Sequence, residues 1–154
     1  MSGIDRIDRK ILSILQADGR ITNLELSERV GLSPTATSER MRRLLKDGYV
    51  SGFGARLDPQ RLGFGLLVFI EVMLDKTTPE VFDTFADAIR KAPSVIECHM
   101  VAGGFDYLVK TRFEDMSAYR NFLGQFLWTL QGVKETRTYA VMEEIKNDGP
   151  LPLL

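Results

Sequence analysis

From Leu66 to Ile145 the apolar residues repeatedly change period, and the order of those changes leaves few folds open. Leu66 to Leu74 is a β-branched and aromatic run, apolar on both faces, which predicts a strand covered on both sides. Thr78-Pro79 opens a helix whose Phe82, Phe85 and Ile89 share a face, and Ala92-Pro93 ends it. Val95 to Ala102 reads as a second strand, Gly103-Gly104-Phe105 as a turn and Asp106 to Phe113 as a third strand. Asp115 caps a helix in which Tyr119, Phe122, Leu123, Phe126, Leu127 and Leu130 recur at helical spacing; Gly132 closes it, and Val133 to Ile145 reads as a long last strand. The order β-α-β-β-α-β predicts a ferredoxin-like unit, a four-stranded antiparallel sheet with both helices on one face. Leu67, Phe69 and Met73 then face away from the helices, and a second copy of the chain is their simplest cover. Trp128 lies outside the main stripe of its helix, which suits a contact between dimers or partial burial within its own subunit.

The first fifty residues predict three short helices. Ile4, Ile7, Ile11, Ile14 and Leu15 form one apolar stripe, and Asp18-Gly19-Arg20 ends that helix, with Gly19 as the left-handed residue past its end. Thr22 and Glu25 have the spacing of a capping box, and Leu24, Leu26 and Val30 follow as an apolar side. Gly31-Leu32 breaks the chain, Ser33-Pro34 opens a third helix, and Gly48 stops it. Tyr49 to Leu57 alternates loosely and reads as an extended strand or wing; Asp58-Pro59 is a turn. The boundary falls near residues 58–63, giving a first domain over 1–60 and a second over 61–154, an α+β organisation. The tail from Gly149 has no period and reads as irregular.

Two helices joined by a Gly-containing break, with a third packed on them, make a helix-turn-helix candidate. At about 100° per residue, Thr37, Met41, Leu44 and Leu45 fall on the core side of the helix from Ser33. Thr35, Ala36, Glu39, Arg42, Arg43 and Lys46 fall on the other. Arg suits guanine and phosphate, and Thr suits base edges or phosphate. A solvated helix face shows the same row of cations, so periodicity alone leaves both readings open. The whole chain carries a net charge of −1, yet residues 1–57 hold ten Lys/Arg against seven Asp/Glu, and residues 58–154 ten against fourteen. A basic head on an acidic body agrees with a two-module DNA binder.

Other classes find little support. No run approaches the ~20 apolar residues of a membrane span, and the N-terminus lacks the apolar core of a signal peptide, which predicts a cytoplasmic protein. The one cysteine, Cys98, excludes an intramolecular disulfide, and its neighbour His99 points to the opposite side of a strand, so the two cannot form a dyad. There is no metal-ligand spacing, phosphate loop or dinucleotide fingerprint, so neither enzyme activity nor a metal or cofactor is expected.

Several segments carry a resemblance over nearly the full length. In the first module they are Ile4-Asp-Arg-Ile-Asp-Arg-Lys-Ile-Leu, Asp18-Gly-Arg-Ile-Thr-Asn, Glu25-Leu-Ser-Glu-Arg-Val-Gly-Leu-Ser-Pro-Thr and Glu39-Arg-Met-Arg-Arg-Leu. In the second they are Glu97-Cys-His, Phe105-Asp-Tyr-Leu-Val-Lys-Thr-Arg, Asp115-Met-Ser-Ala-Tyr-Arg and Thr136-Arg-Thr-Tyr-Ala-Val-Met-Glu-Glu. In order and spacing the chain resembles the Lrp/AsnC (feast/famine) family of bacterial transcription regulators. The resemblance implies an N-terminal winged helix-turn-helix that binds double-stranded DNA, through Ser33, Pro34, Thr35, Ala36, Ser38, Glu39, Arg42, Arg43 and Lys46 on the matching helix. It also implies a C-terminal ferredoxin-like domain that dimerises, builds higher oligomers such as an octamer, and binds an amino-acid effector, with leucine as the first expectation. Where the nearest relatives have Pro-Cys-Leu after Ser33-Pro34-Thr35, this chain has Ala36-Thr37-Ser38, so an operator sequence does not carry over.

On matching positions the effector site falls between subunits, on Gly103, Gly104, Asp106, Tyr107, Met116, Thr136, Thr138 and Tyr139. Glycines let a backbone approach a ligand, and Asp106 suits an α-ammonium group. A Gly-Gly turn is also an ordinary tight connection, with Asp106 its cap. Thr136 and Thr138 alternate with Arg137 and Tyr139, so they meet one ligand only from two sides or from different subunits. An architectural DNA binder without ligand response, and an amino-acid-sensing module whose head binds protein, are the alternatives.

Overall fold

The computed structural model describes residues 3–153. It divides into two compact units, Met1–Arg56 with Ile145–Leu154, and Leu57–Glu144. The tail, grouped with the second module on sequence, thus packs with the first.

In the first unit, α1 (Arg6–Ala17) begins with a reciprocal cap: the Asp5 carboxylate accepts from the Asp8 N–H at 2.8 Å, and the Asp8 carboxylate accepts from the Asp5 N–H at 3.1 Å. The expected Thr22–Glu25 capping box opens α2 (Asn23–Val30), and Gly31, at φ +73°, takes the left-handed position that ends it. The Ser33 hydroxyl accepts from the Ala36 N–H to start α3 (Pro34–Lys46), and Gly48 follows at φ +76°. Ile11, Leu12 and Ile14 of α1 meet Leu26 and Val30 of α2 and Leu44 of α3 in one buried cluster. Leu45, expected in that cluster, is 42% exposed.

Two expectations fail here. Gly19 does not adopt a positive φ: Asp18 turns the chain in an extended conformation, and Gly19 instead leaves room for Phe53, whose ring would lie 3.2 Å from an added Cβ. Residues 49–57 form no strand. A strand needs a ladder partner, and among the described residues no segment pairs with them. The tail is irregular, as expected, but it is attached. Gln16 receives the Leu151 N–H on Oε1 at 2.7 Å and donates Nε2 to the Leu151 carbonyl at 3.2 Å, and Leu153 packs on the apolar cluster.

In the second unit the order is β1 (Leu66–Leu74), α4 (Pro79–Arg90), β2 (Val95–Met100), β3 (Tyr107–Phe113), α5 (Met116–Gln125), a 3₁₀ turn (Leu127–Thr129) and β4 (Val133–Ala140). The sheet order is β2-β3-β1-β4 with antiparallel neighbours throughout, the expected ferredoxin-like arrangement. Val68, Ile70 and Val72 face Phe85 and Ile89 of α4 and Tyr119 and Leu123 of α5 in a single core. One residue out of phase, Leu67, Phe69, Glu71 and Met73 point to the other face. The ladders place Leu108, Lys110 and Arg112 of β3 and Glu135, Arg137 and Tyr139 of β4 beside them.

The helix expected to reach Leu130 stops at Gln125. Phe126 leaves helical geometry at φ −128°, ψ −70°, and the 3₁₀ turn sends Leu127 into the core and Trp128 outward. The last strand ends at Ala140 rather than Ile145, because the bond from the Val141 N–H to the Leu67 carbonyl already brings it to the start of its partner β1. β2 likewise ends at Met100 rather than Ala102, where the turn to β3 begins.

Replacing Gln16 by Ala removes both hydrogen bonds to Leu151. About 1 kcal/mol of stabilisation of the tail against α1 should disappear, seen as faster amide hydrogen exchange at Leu151 and along the last turn of α1. Unchanged exchange there would show that the attachment contributes nothing.

Candidate nucleic-acid interface and effector surface

The helix-turn-helix candidate is built from α2, Gly31 and α3. Its two helices are fastened at one end by Asn23, whose Nδ2 donates to the Pro34 carbonyl at 2.9 Å. Thr37 and Leu44 are fully buried, and the Thr37 hydroxyl donates to the Ser33 carbonyl, so neither projects outward. Ser33, Pro34, Thr35, Ser38, Glu39, Arg42 and Lys46 are exposed and Ala36 is half-buried. Arg42 and Lys46 make no ion pair among the described residues.

Arg43 is exposed, as expected, but it is also ion-paired. Its guanidinium reaches back to the carboxylate of Asp8 on α1, although its side chain stays 44% exposed. Arg40, one turn earlier, bridges Asp5 at 2.7 Å and Asp8 at 2.8 Å. Sequence reasoning missed this cluster. Its signal was present in the spacing, since Asp5 and Asp8 are three residues apart and so are Arg40 and Arg43.

The eight expected effector residues do not converge within one chain. Gly103 and Gly104 form an exposed turn after β2. Asp106 already accepts the Leu74 N–H on Oδ2 at 2.7 Å, pinning the turn to the end of β1. Tyr107 is 4% exposed; its ring lies against Phe85 with centroids 4.5 Å apart, and its hydroxyl donates to the Phe82 carbonyl. Thr136 accepts from the Trp128 indole N–H at 3.0 Å, and Thr138 bonds the Tyr119 hydroxyl, both on the helix-covered side of β4. Tyr139 lies on the opposite face, where the Glu71 carboxylate beside it raises its pKa. Met116 is exposed at the start of α5. The depression that includes Gly104 is shared with Glu71, Met73, Phe105, Glu135 and Arg137, and its volume of about 10 Å³ suits a single water rather than an amino acid.

Cys98 and His99 do point to opposite sides. The thiol is packed against the core, and burial pushes its pKa up to about 11. His99 is exposed beside Glu97 at 3.4 Å. No group of three or more His, Cys, Asp or Glu among the described residues is placed to hold a metal, and no helix among them is long and apolar enough to cross a membrane.

Residues 4–51 match the family described as winged helix-turn-helix DNA-binding, and residues 67–151 match the Lrp/AsnC ligand binding domain. The leucine-responsive regulatory proteins of Klebsiella pneumoniae and Escherichia coli K12 are each 55% identical over 148 residues, 96% of this chain and 90% of theirs. The chain belongs to the Lrp/AsnC family. Among solved structures, a transcriptional regulator from Neisseria meningitidis in complex with L-methionine superposes with a TM-score of 0.94 at 39% identity, covering 98% of this chain and 97% of that one. An AsnC-family regulator from Agrobacterium tumefaciens gives 0.92 at 31%, covering 97% of each. This Lrp/AsnC protein is therefore a DNA-binding transcription regulator with a ligand-binding domain, and the family is not one of enzymes.

The caps that orient its DNA-binding unit are acidic and ionised. The Asp8 N–H and then Arg40 hold the Asp5 carboxyl below its ordinary 3.8, and the Thr22 hydroxyl and N–H hold Glu25 below its ordinary 4.5. Both depressed groups favour the folded unit above those ordinary values, and the benefit is lost as pH falls through the lower folded ones. Amide protection at the starts of α1 and α2, taken relative to the slower intrinsic exchange in acid, should fall below about pH 4.5. Glu25→Gln should flatten the change at α2 alone, whereas an identical acid response in that variant would show the cap charge to be irrelevant.

Proposed function

We propose that this regulator reads double-stranded DNA with the exposed side of α3 and changes its occupancy when an amino acid binds between copies of its second unit. The observation that carries the reading is the orientation of α3. Thr37 and Leu44 are buried beneath it, while Ser33, Pro34, Thr35, Ala36, Ser38 and Glu39 occupy its leading part and Arg42 and Lys46 the rows behind. The N-terminal end of such a helix meets base edges and the cations meet phosphate. Arg43, engaged by Asp8, is left out of this set.

Two observations support an effector site that a single chain leaves incomplete. The depression at Gly104 is too small for an amino acid, and Thr136, Thr138 and Tyr139 look to different sides of β4. A second copy laid on the face bearing Leu67, Phe69 and Met73 would cover Tyr139 and bring another chain's turn or edge strand into reach. The effector is an amino acid with an aliphatic or thioether side chain, leucine first. The 55%-identical relatives are leucine-responsive and the Neisseria regulator holds methionine. Asp106 would receive the ammonium group. Dimers would assemble further, to an octamer.

A mobility-shift titration at two salt concentrations, with and without leucine or methionine, tests the whole reading. Affinity should fall steeply with salt, and one of the two amino acids should change occupancy about 5–150-fold. A salt-independent shift, or none, would favour a protein-binding head; no response to any of the twenty amino acids would favour an architectural role. Asp106→Asn keeps the acceptor for the Leu74 N–H but removes the charge, and it should abolish the amino-acid response while sparing DNA binding. Phe69→Asp should move the sedimenting mass towards the monomer, and an unchanged mass would exclude that sheet face as the dimer contact.

A further inference from the structure

Asp8 is 1% exposed, and a carboxylate so deep in a small helical unit is costly unless its oxygens are filled. Here both are. Oδ1 accepts from Arg40 at 2.8 Å, and Oδ2 accepts from Arg43 at 2.5 Å and from the Asp5 N–H at 3.1 Å. Arg40 also bonds Asp5 at 2.7 Å. Two acids one turn apart on α1 thus grip two arginines one turn apart on α3.

Stability alone gives little reason for such an arrangement, since an apolar cluster of the same volume commonly does as well. Geometry gives a better one. Thr37 and Leu44 are fully buried on α3, Met41 packs on the cluster from a partly buried position, and Asn23 holds the Pro34 end. These contacts act at the start and along one side of the helix, and the ion pairs to the α1 end add a second constraint on its rotation and axial slip. The two-by-two lattice resists both, because a shift of one residue turns Arg40 and Arg43 by about 100° away from the carboxylates. The same contacts withdraw two of the four cations of α3, Arg40 and Arg43, and leave Arg42 and Lys46 outward.

We propose that Asp8 is a specificity-determining positioning residue: it fixes which side of α3 meets the duplex and diverts Arg43 from indiscriminate phosphate contact. Its effect is to lower affinity for arbitrary DNA while holding the register in which Thr35, Ser38 and Glu39 reach base edges. The inference rests on reading α3 as the DNA-contacting helix, and the variants separate the two.

The probes are the best duplex recovered by the wild-type protein from a random-sequence library and a scrambled duplex of equal length. Asp8→Asn should tighten binding to the scrambled duplex, steepen its log-affinity against log-salt slope by about one as Arg43 finds a phosphate, and lower the ratio of selected to scrambled affinity about tenfold. A folded Asp8→Asn protein with the wild-type ratio and slope overturns the proposal. If that variant does not fold, Arg43→Gln decides. Arg43→Gln should lower the ratio and leave the slope unchanged, whereas Arg42→Gln lowers the slope by about one. Equal loss of slope in both variants makes Arg43 an ordinary phosphate contact and overturns the role given to Asp8. Wild-type protein that selects no duplex at all defeats the reading of α3 itself.

Discussion

Val68, Ile70 and Val72 are wholly inside, while Phe69 and Met73, one step out of phase on the same strand, are half-buried on the opposite face, with Leu67 buried at its end. The period of two in an extended backbone forces this division. It governs the second unit, because β1 is hydrogen-bonded along both edges and every other strand takes its register directly or indirectly from it. Under the helices the division yields a closed core with tilted ring contacts, Phe85 against Tyr107 and Phe113 against Phe122. On the opposite face it yields apolar side chains interleaved with Glu97–Lys110 and Glu135–Arg137 pairs. Apolar and charged side chains are mixed even at the centre of that face, where Glu71 lies between Phe69 and Met73 and Lys110 stands opposite Phe69.

Local chemistry was the most legible part of the sequence. Thr22 with Glu25, Ser33 with Pro34, Asp115, Gly31, Gly48 and Gly132 all mark element ends, because a cap or a left-handed residue acts within one turn of itself. The order of strands and helices was legible for the same reason. What escaped depends on partners distant in the chain. Gly19 is small because Phe53 lies beside it, β4 ends where β1 begins, and the tail is ordered by Gln16. Residues 49–57 alternate like a strand, yet alternation supplies side-chain pattern and not a hydrogen-bonding partner.

The site residues divide along the same line. A helical wheel placed Thr37 and Leu44 inside and Thr35, Glu39, Arg42 and Lys46 outside, which is where they lie. Arg43 is exposed too, but a wheel cannot show that a buried carboxylate on another helix stands within reach of its long side chain. The second unit escaped more fully. Tyr107 and Thr138, chosen by matching positions, are engaged with Phe82 and Tyr119 inside the unit, contacts that no local pattern signals.

A chain with a net charge of −1 is not an obvious partner for a polyanion, but its charge is unevenly divided, with ten Lys/Arg against seven Asp/Glu in residues 1–57. At physiological salt a charge is screened beyond roughly 8 Å, so what counts on α3 is the charge immediately around each cation. There the balance is finely set. Four cations lie on α3, and Asp5 and Asp8 of α1 engage two of them. Had all four faced outward, the helix would hold any duplex firmly and discriminate poorly, since phosphate contacts carry no sequence information. Internal pairing leaves a smaller charge in a better-defined place. In a DNA-binding regulator that also carries a ligand-binding domain, modest non-specific affinity has a physical use: coupling between two sites typically amounts to about 1–3 kcal/mol, which matters only against a competing affinity that is not much larger.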